Sequence, residues 1–385
     1  MLQMKSINHE TTNRFAAFAL RGGRLRKRGR GVISYAPFLT GMVSVVVLGS
    51  MFALSTSSFA NADEVERNKT KIYTNVTTVY TDKFKSNPSN SRSSFEYEFV
   101  NFTRNITTVL DTTVTTSGSV SRVGTGVYVY RSGKGIMEVN NSANINDAYY
   151  GIEASHTGED DLIITNSGRL TGIEYDGIFA TRAGEGAINV SSAATGEIVV
   201  GNWGIHAGHI GTGGIVIDNF SRITSEDTGI HARHRGGGDI SVTSSSQIDA
   251  DEFGIYARHR GTTGNIGVTS SSKIISDDVG IYAKQVTGGR LHIVAQESSE
   301  IVSSGKGIAA YQEGNGVIDI DVASGASITS TGKYGIFAQH SGNYATSTDA
   351  NGDSTYSVHL DIKGAVKGHK KGILVKHSGT GDIVI

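Results

Sequence analysis

The sequence predicts an all-β fold, a right-handed parallel β-helix in which about 25 residues form one coil of three short strands. The first observation is a near-duplication: residues 229–248 read GIHARHRGGGDISVTSSSQI and residues 254–274 read GIYARHRGTTGNIGVTSSSKI. The second is a motif, Gly-Ile/Val-x-Ala/Val, that recurs ten times at intervals of about 25 to 28 residues, the last interval being longer. Repeats of this length indicate a solenoid. The motif begins at Gly126, Gly151, Gly177, Gly204, Gly229, Gly254, Gly280, Gly307, Gly335 and Gly372.

Each repeat contains three short apolar alternations. In the repeat at Gly229 they are Ile230 with Ala232, Ile240 with Val242, and then Ile248. Apolar residues at i and i+2, flanked by Gly, Ser, Asn and Asp, predict short strands joined by turns. We expect the apolar residues to stack coil on coil. We expect the glycines to occupy corners that need a positive φ.

The chain before the repeats divides into two predicted segments. Residues 1–62 combine a basic stretch, an apolar run at 38–54 and the sequence Ala60-Asn61-Ala62, which together predict an extended signal peptide; a membrane anchor is the alternative. Residues 63–120 are rich in Thr, Asn and aromatic residues and predict an N-terminal β cap over the open strand edges. Residues 121–385 are the predicted β-helix, with an insertion near 343–355.

These features together resemble a known family. An extended signal peptide followed by a cysteine-free, Gly/Ser/Asn-rich parallel β-helix resembles the passenger domain of a type V (classical) autotransporter. The recurring phrase G-I-x-A-x-H-x-G, with x-I-x-V-x-S-x-S between copies, is most similar to the Bartonella angiogenic factor group. The resemblance implies export through the periplasm to the bacterial outer surface. It also implies a C-terminal translocator barrel that this sequence lacks, so we expect this sequence to be a piece of a longer protein.

The same resemblance implies a function. Passengers of that group are implied to be proangiogenic ligands that bind and activate a vascular endothelial growth factor receptor on host endothelial cells. An adhesin that binds host matrix or heparan sulfate is the alternative. Residues 63–385 carry 27 Lys and Arg against 35 Asp and Glu, about −8 in net charge, which disfavours a nucleic-acid partner.

The fifth residue after each repeat glycine is polar in every repeat, and equivalent positions stack in a β-helix. The favoured interpretation is a corner ladder whose side chains bond to the turn backbone; a metal site or a pH switch is the alternative. The members of this polar ladder are Arg131, His156, Arg182, His209, His234, His259, Gln285, Gln312, His340 and His377.

A basic stripe crosses three adjacent coils and provides the candidate receptor- or glycan-binding residues. Stacked like charges need counter-charges or a partner, so the stripe either binds an anionic ligand or is neutralised by acidic residues just before the repeat glycines. The acidic residues are Glu226, Asp227, Asp251, Glu252, Asp277 and Asp278. The stripe comprises Arg233, His234, Arg235, Arg258, His259, Arg260 and Lys284.

Enzymatic chemistry is the third hypothesis. The absence of cysteine excludes disulfides, thiolate zinc sites and a cysteine nucleophile, and we predict neither a catalytic residue nor a metal or other cofactor. A glycan-cleaving β-helix would need paired carboxylates, for which Asp160-Asp161 and Asp277-Asp278 are the best candidates. Consecutive residues of a strand point to opposite faces, which makes either pair a poor acid–base couple.

Overall fold

The computed structural model describes residues 69–76, 111–342 and 356–385. They form an all-β parallel solenoid of about ten turns, with roughly 26 residues in each coil and no helix in the described segments. The parallel β-helix predicted from the 25-residue period is therefore confirmed. The predicted signal peptide at 1–62, most of the predicted cap and the insertion lie outside the described residues.

Twenty-nine strands make up the described part of the chain. In order they are β1 (Lys69–Val76), β2 (Asp111–Arg131), β3 (Met137–Asn141), β4 (Asn144–His156), β5 (Leu162–Asn166), β6 (Leu170–Ile173), β7 (Ile178–Arg182), β8 (Ile188–Ser192), β9 (Glu197–Val200), β10 (Ile205–His209), β11 (Ile215–Asn219), β12 (Arg222–Ser225), β13 (Thr228–His234), β14 (Ile240–Ser244), β15 (Ile248–Ala250), β16 (Phe253–His259), β17 (Ile266–Ser270), β18 (Lys273–Ser276), β19 (Val279–Gln285), β20 (Gly289–Ala295), β21 (Glu300–Ser303), β22 (Lys306–Gln312), β23 (Gly316–Val322), β24 (Ser327–Ser330), β25 (Tyr334–His340), β26 (Tyr356–Ile362), β27 (Ala365–Gly368), β28 (Lys371–His377) and β29 (Asp382–Val384).

Every third strand pairs in parallel with its equivalent in the next coil, which produces three faces. The first face contains β3, β5, β8, β11, β14, β17, β20, β23, β26 and β29; the second contains β6, β9, β12, β15, β18, β21, β24 and β27. The third face contains β7, β10, β13, β16, β19, β22, β25 and β28. The long strands β2 and β4 pair with each other on both sides of a bend and so span more than one face.

The core is a set of aliphatic columns. The five apolar residues predicted for the repeat at Gly229 are each at most 1% exposed. Ile230, for example, lies in register between Ile205 and Ile255. Burying an isoleucine stabilises a fold by roughly 1.5–3 kcal/mol, and here each one is buried mainly by its neighbours in the adjacent coils.

The repeat glycines are required for close packing between coils, and not because their backbone is left-handed. None of the ten has a positive φ, so the expectation based on corner geometry is wrong for them. A Cβ on Gly254 would lie 2.2 Å from Cγ2 of Ile274 and 2.5 Å from the carbonyl oxygen of Gly280. Each repeat glycine from Gly126 to Gly335 meets an aliphatic side chain and a glycine carbonyl in this way or nearly so, whereas positive φ occurs at other glycines such as Gly264. Glycine is therefore required because the next coil occupies the space of its side chain.

A second polar ladder runs inside the corner between the first and second faces. Asn141 Nδ2 donates to Asn166 Oδ1 at 2.7 Å in the next coil, and to the Ala143 carbonyl at 3.0 Å within its own turn. Ser192 Oγ donates to Asn219 Oδ1 at 2.7 Å further along. These hydrogen bonds satisfy buried polar groups in each turn and tie one coil to the next.

At the N-terminal end, β1 adds a rung to the first face. It pairs in parallel with the start of β2, from Lys69 opposite Asp111 to Val76 opposite Gly118. The other residues of the predicted cap up to 110 lie outside the described segments. The described residues also include no helix that is long and apolar enough to span a membrane.

We expect Gly254→Ala to destabilise the protein by about 1–3 kcal/mol, because the new methyl group overlaps Ile274 and the backbone of the next coil. Gly267→Ala is the control, because a Cβ there finds its nearest atom at 3.9 Å on the outer side of β17. Denaturant unfolding followed by circular dichroism measures both. Equal stability of the two variants would contradict the close-packing role.

Candidate functional site

The predicted basic stripe lies on β13, β16 and β19 of the third face. Arg233 pairs with Arg258 in the next coil, and Arg258 pairs with Lys284 in the coil after that. Arg235 and Arg260 follow the strands, and their backbone amides donate to the carbonyls of the preceding coil. The alignment of the repeats therefore brings the five basic residues into two adjacent columns, as expected.

The two histidines of the stripe do not belong to this surface. His234 and His259 are 0% exposed, whereas Arg235 and Arg260 are exposed and Arg233 and Arg258 partly so. Side chains alternate across a strand, so the histidines between the arginines point into the solenoid. Because both histidines are buried, they are not part of the candidate binding surface.

The buried histidines are members of the polar ladder, and they bond to the turn backbone. His234 Nδ1 accepts a hydrogen bond from the Gly236 amide at 3.0 Å, and its Nε2 lies 2.6 Å from the Gly213 carbonyl of the preceding coil. His209 and His259 repeat the pattern. The corner-ladder interpretation is confirmed, and both ring nitrogens of these three residues are occupied by backbone partners.

Burial sets the protonation of the ladder. It lowers the pKa of His156 and of His209 to about 4, and it lowers the pKa of His234 and His259 as well, although the hydrogen bonds to glycine carbonyls act in the opposite direction. Neutral rings stack with centroids 4.8 Å apart for His209 and His234. These four histidines are therefore uncharged at neutral pH and hold the corner through hydrogen bonds.

Arg233, Arg235, Arg258 and Arg260 form the arginine patch, in which Arg233, Arg258 and Arg260 have no ion pair with a carboxylate among the described residues. Burial first, and then the charges of Arg235, Arg260 and Arg258, lower the pKa of Arg233. The Nε atoms of Arg233 and Arg258 are buried and have no hydrogen-bond partner among the described residues. Buried donors without acceptors are costly, and stacked like charges add to that cost.

Lys284 differs from the arginines of its column. Its Nζ lies 2.5 Å from a carboxylate oxygen of Glu313, and its side chain is 18% exposed. The charge is therefore compensated within the protein. Of the seven predicted binding residues, the four arginines lie at the surface, and Arg233, Arg258 and Arg260 have no carboxylate contact among the described residues.

An aromatic column lies beside the arginine patch, two residues earlier on the same strands. It consists of His206, His231, Tyr256 and Tyr282, which are paired in register on β10, β13, β16 and β19. Tyr256 and Tyr282 stack with centroids 4.8 Å apart and planes 4° from parallel. Sequence reasoning missed this column, although the third residue of each repeat motif could have revealed it. Tyrosine and arginine side by side are the residues that protein interfaces favour.

The acidic residues before the repeat glycines form a column of their own. Burial, followed by the charges of Asp277 and Glu226, raises the pKa of Asp251. The same causes, with Asp227 and Asp278 as neighbours, raise the pKa of Glu252. Among the described residues, no ion pair joins this column to Arg233, Arg258 or Arg260. The like charges within the column repel one another, and they leave those arginines uncompensated.

The carboxylates of the two pairs considered for catalysis either accept hydrogen bonds from backbone amides or belong to the acidic column. Asp160 accepts a hydrogen bond from the Gly135 amide at 2.6 Å, while Asp161 accepts one from the Ala187 amide at 2.7 Å. Asp160 therefore binds to the preceding coil and Asp161 to the following coil. Asp277 and Asp278 are exposed members of the acidic column.

A second polar cluster, on the first face, was also missed by sequence reasoning. His292, Asp319 and His359 are paired in register on β20, β23 and β26. His292 and Asp319 each lie twelve residues after a repeat glycine, Gly280 and Gly307, so alignment could have found them. The third member follows the insertion, which moves it out of phase with the repeat.

Comparisons with protein-family models, with curated proteins and with solved structures find no match for this chain. The parallel β-solenoid fits the passenger domain of an autotransporter, and this fit is at the level of architecture. No link to the Bartonella group is found.

We expect the unfolding midpoint to fall as the pH drops from about 6.5 to about 4, because unfolded histidines take up protons that the buried ladder excludes. The triple variant His209→Gln, His234→Gln, His259→Gln keeps the ladder, since Gln285 already donates to the Gly264 carbonyl at 2.9 Å. Three of the six described histidines whose pKa burial lowers are then gone, and the pH dependence should fall by roughly half.

Thermal unfolding by circular dichroism at several pH values measures this change. Exposed His369→Gln is the control and should leave the pH dependence unchanged. A triple variant with the full pH dependence of the unsubstituted protein would contradict the assignment to the ladder.

Proposed function

We propose that this chain is the passenger of an autotransporter, exported to the bacterial surface as a virulence factor, and that it acts there as a binding protein. In this proposal residues 1–62 are the signal peptide and residues 63–120 cap the N-terminal end. The solenoid is right-handed in the same proposal, because nearly all parallel strand–crossover–strand connections are. The architecture supports a long, rigid surface with repeated contact positions.

The contact surface in this proposal is the arginine patch with the adjacent aromatic column. The single observation that carries it is the concentration of positive charge: four arginines lie on two neighbouring coils, and the buried Nε atoms of Arg233 and Arg258 have no acceptor among the described residues. An anionic ligand would supply both the negative charge and the acceptors. Guanidinium groups bind sulfate and carboxylate through paired hydrogen bonds, so these ligand groups suit the patch.

A sulfated host glycan of the heparan sulfate type fits this geometry best. The arginines of successive coils lie about 4.8 Å apart along the solenoid axis, and such a row of charges suits a linear polyanion that runs parallel to the axis. The flat rings of Tyr256 and Tyr282 beside the row add an apolar floor. The protein therefore acts as an adhesin in this proposal.

The test is binding of the full chain to immobilised heparin. Replacing Arg233, Arg235, Arg258 and Arg260 by Ala removes four charge contacts of about 0.5 kcal/mol each, which weakens binding about 30-fold and lowers the salt concentration needed for elution. The control replaces Lys134, Arg169, Lys273 and Lys363, which are surface cations with carboxylate partners. Both variants have the same net charge, so equal heparin binding by the two would refute the patch.

Engagement of a growth-factor receptor on endothelial cells is the second candidate. The observation that favours it is the tyrosine–arginine composition of the surface, which is typical of residues that dominate protein–protein binding. The partner in this case is an acidic patch of a vascular endothelial growth factor receptor, and the outcome is a proangiogenic signal.

For this second candidate we expect the full chain to cause receptor phosphorylation in cultured endothelial cells, and the four-arginine variant to lose it. Heparinase treatment of the cells separates the two functions, because it removes the glycan and leaves the receptor. Phosphorylation that persists in the four-arginine variant would place the receptor contact elsewhere on the solenoid. Absence of phosphorylation with the unsubstituted chain would exclude the receptor function.

A further inference from the structure

We propose that His292, Asp319 and Asp321 form a binding site for a divalent transition metal of the zinc type on the outer side of the first face. The three side chains offer one imidazole nitrogen and two carboxylate oxygens, and these ligand atoms all lie within 4.8 Å of one another. The site is separate from the arginine patch, which belongs to the third face. It is also independent of the proposed binding function.

The backbone determines the placement of the ligands. His292 on β20 pairs in register with Asp319 on β23, so the two side chains project from neighbouring coils on the same side. Asp321 follows two residues after Asp319 on the same strand and therefore points to the same side of the sheet. Two adjacent rungs thus hold three potential ligands on a rigid surface, as a preorganised metal site requires.

The distances between the ligand atoms are close to those of a metal site. His292 Nε2 lies 2.9 Å from Asp321 Oδ2 and 4.0 Å from Asp319 Oδ2. Zinc–ligand bonds of about 2.0–2.2 Å in a tetrahedron place donor atoms about 3.3–3.6 Å apart. The observed separations lie on both sides of that value, so small side-chain rotations bring all three atoms to one ion.

Asp319 is held in position by a second histidine. Its side chain is only 4% exposed, and its Oδ1 lies 2.9 Å from Nδ1 of His359 on the next coil. Metal-ligating carboxylates in proteins are commonly oriented by such hydrogen bonds, and loss of the partner weakens metal binding. His359 is therefore a positioning residue, with Oδ2 of Asp319 left to face His292.

Arg290 occupies the same carboxylate oxygen in the metal-free protein. Its guanidinium forms an ion pair with Asp319 Oδ2, and its side chain is 54% exposed. A metal ion must displace this contact, and the exposed side chain has room to turn toward solvent. Arg290 thus lowers the affinity for cations, and its removal should raise that affinity.

The ligand types select the metal. Imidazole nitrogen suits zinc, cobalt, nickel and copper, whereas calcium and magnesium favour sites made only of oxygen. The side chains of His292 and Asp321 are 30% and 38% exposed, so water can reach a bound ion. The site therefore has three protein ligands and an open fourth position.

The test is calorimetric titration of the full chain with Zn²⁺, and with Mg²⁺ as the comparison ion. We expect one equivalent of Zn²⁺ to bind at a position that Mg²⁺ does not fill. His292→Ala and Asp321→Asn should each weaken that binding at least tenfold, and His359→Ala should weaken it about tenfold. Arg290→Ala should strengthen it, an effect that a merely structural ion-pair cluster does not predict.

Two further measurements keep the test decisive. Co²⁺ substitution should give the intense visible absorption of a four-coordinate site, and the absorption should vanish in His292→Ala. His369→Ala, an exposed histidine outside the cluster, is the control and should bind Zn²⁺ as the unsubstituted chain does. Circular dichroism confirms that each variant folds. Equal Zn²⁺ binding by the unsubstituted chain, His292→Ala and Asp321→Asn, or no Zn²⁺ binding at all, would overturn the proposal.

Discussion

Parallel pairing of each strand with its equivalent one coil away is the constraint on which this molecule depends. Because the pairing is in register, every side chain meets the side chain at the same position of the repeat. Aliphatic residues then form the core columns, buried histidines, glutamines and arginines form the polar ladder, and exposed charged residues form columns of one sign. A favourable or unfavourable contact is thus repeated along the axis, and the composition of a single position decides the character of a whole stripe.

This repetition explains why so much of the fold was predictable. Once the repeat glycines are aligned, the inward positions follow from strand alternation, and the predicted core residues such as Ile230 and Val242 are indeed buried. The corner ladder was predicted for the same reason. The role of Gly254 was not, because a close approach between coils depends on the positions of Ile274 and Gly280, which no local rule of backbone geometry contains.

The candidate sites were predictable only in part. Alternation along β13 could have separated inward His234 from outward Arg233, but the run of basic residues at 233–235 was predicted to be exposed as a whole. The compensation of Lys284 by Glu313 depends on side-chain reach between coils, which the alignment does not give. In the cluster around Asp319, the alignment of the repeats places His292 beside Asp319 but not His359, because His359 follows the insertion and is out of phase with the repeat.

The near-identity of the coils at Gly229 and Gly254 has a consequence for how such a chain changes over generations. Stretches of gene that encode nearly the same coil are templates for unequal recombination, which removes or duplicates whole coils in frame. Each event alters the length of the solenoid by about 4.8 Å and leaves the core contacts at the new junction chemically the same as before. Length and the number of arginines on the surface can therefore vary together, while the fold itself is preserved.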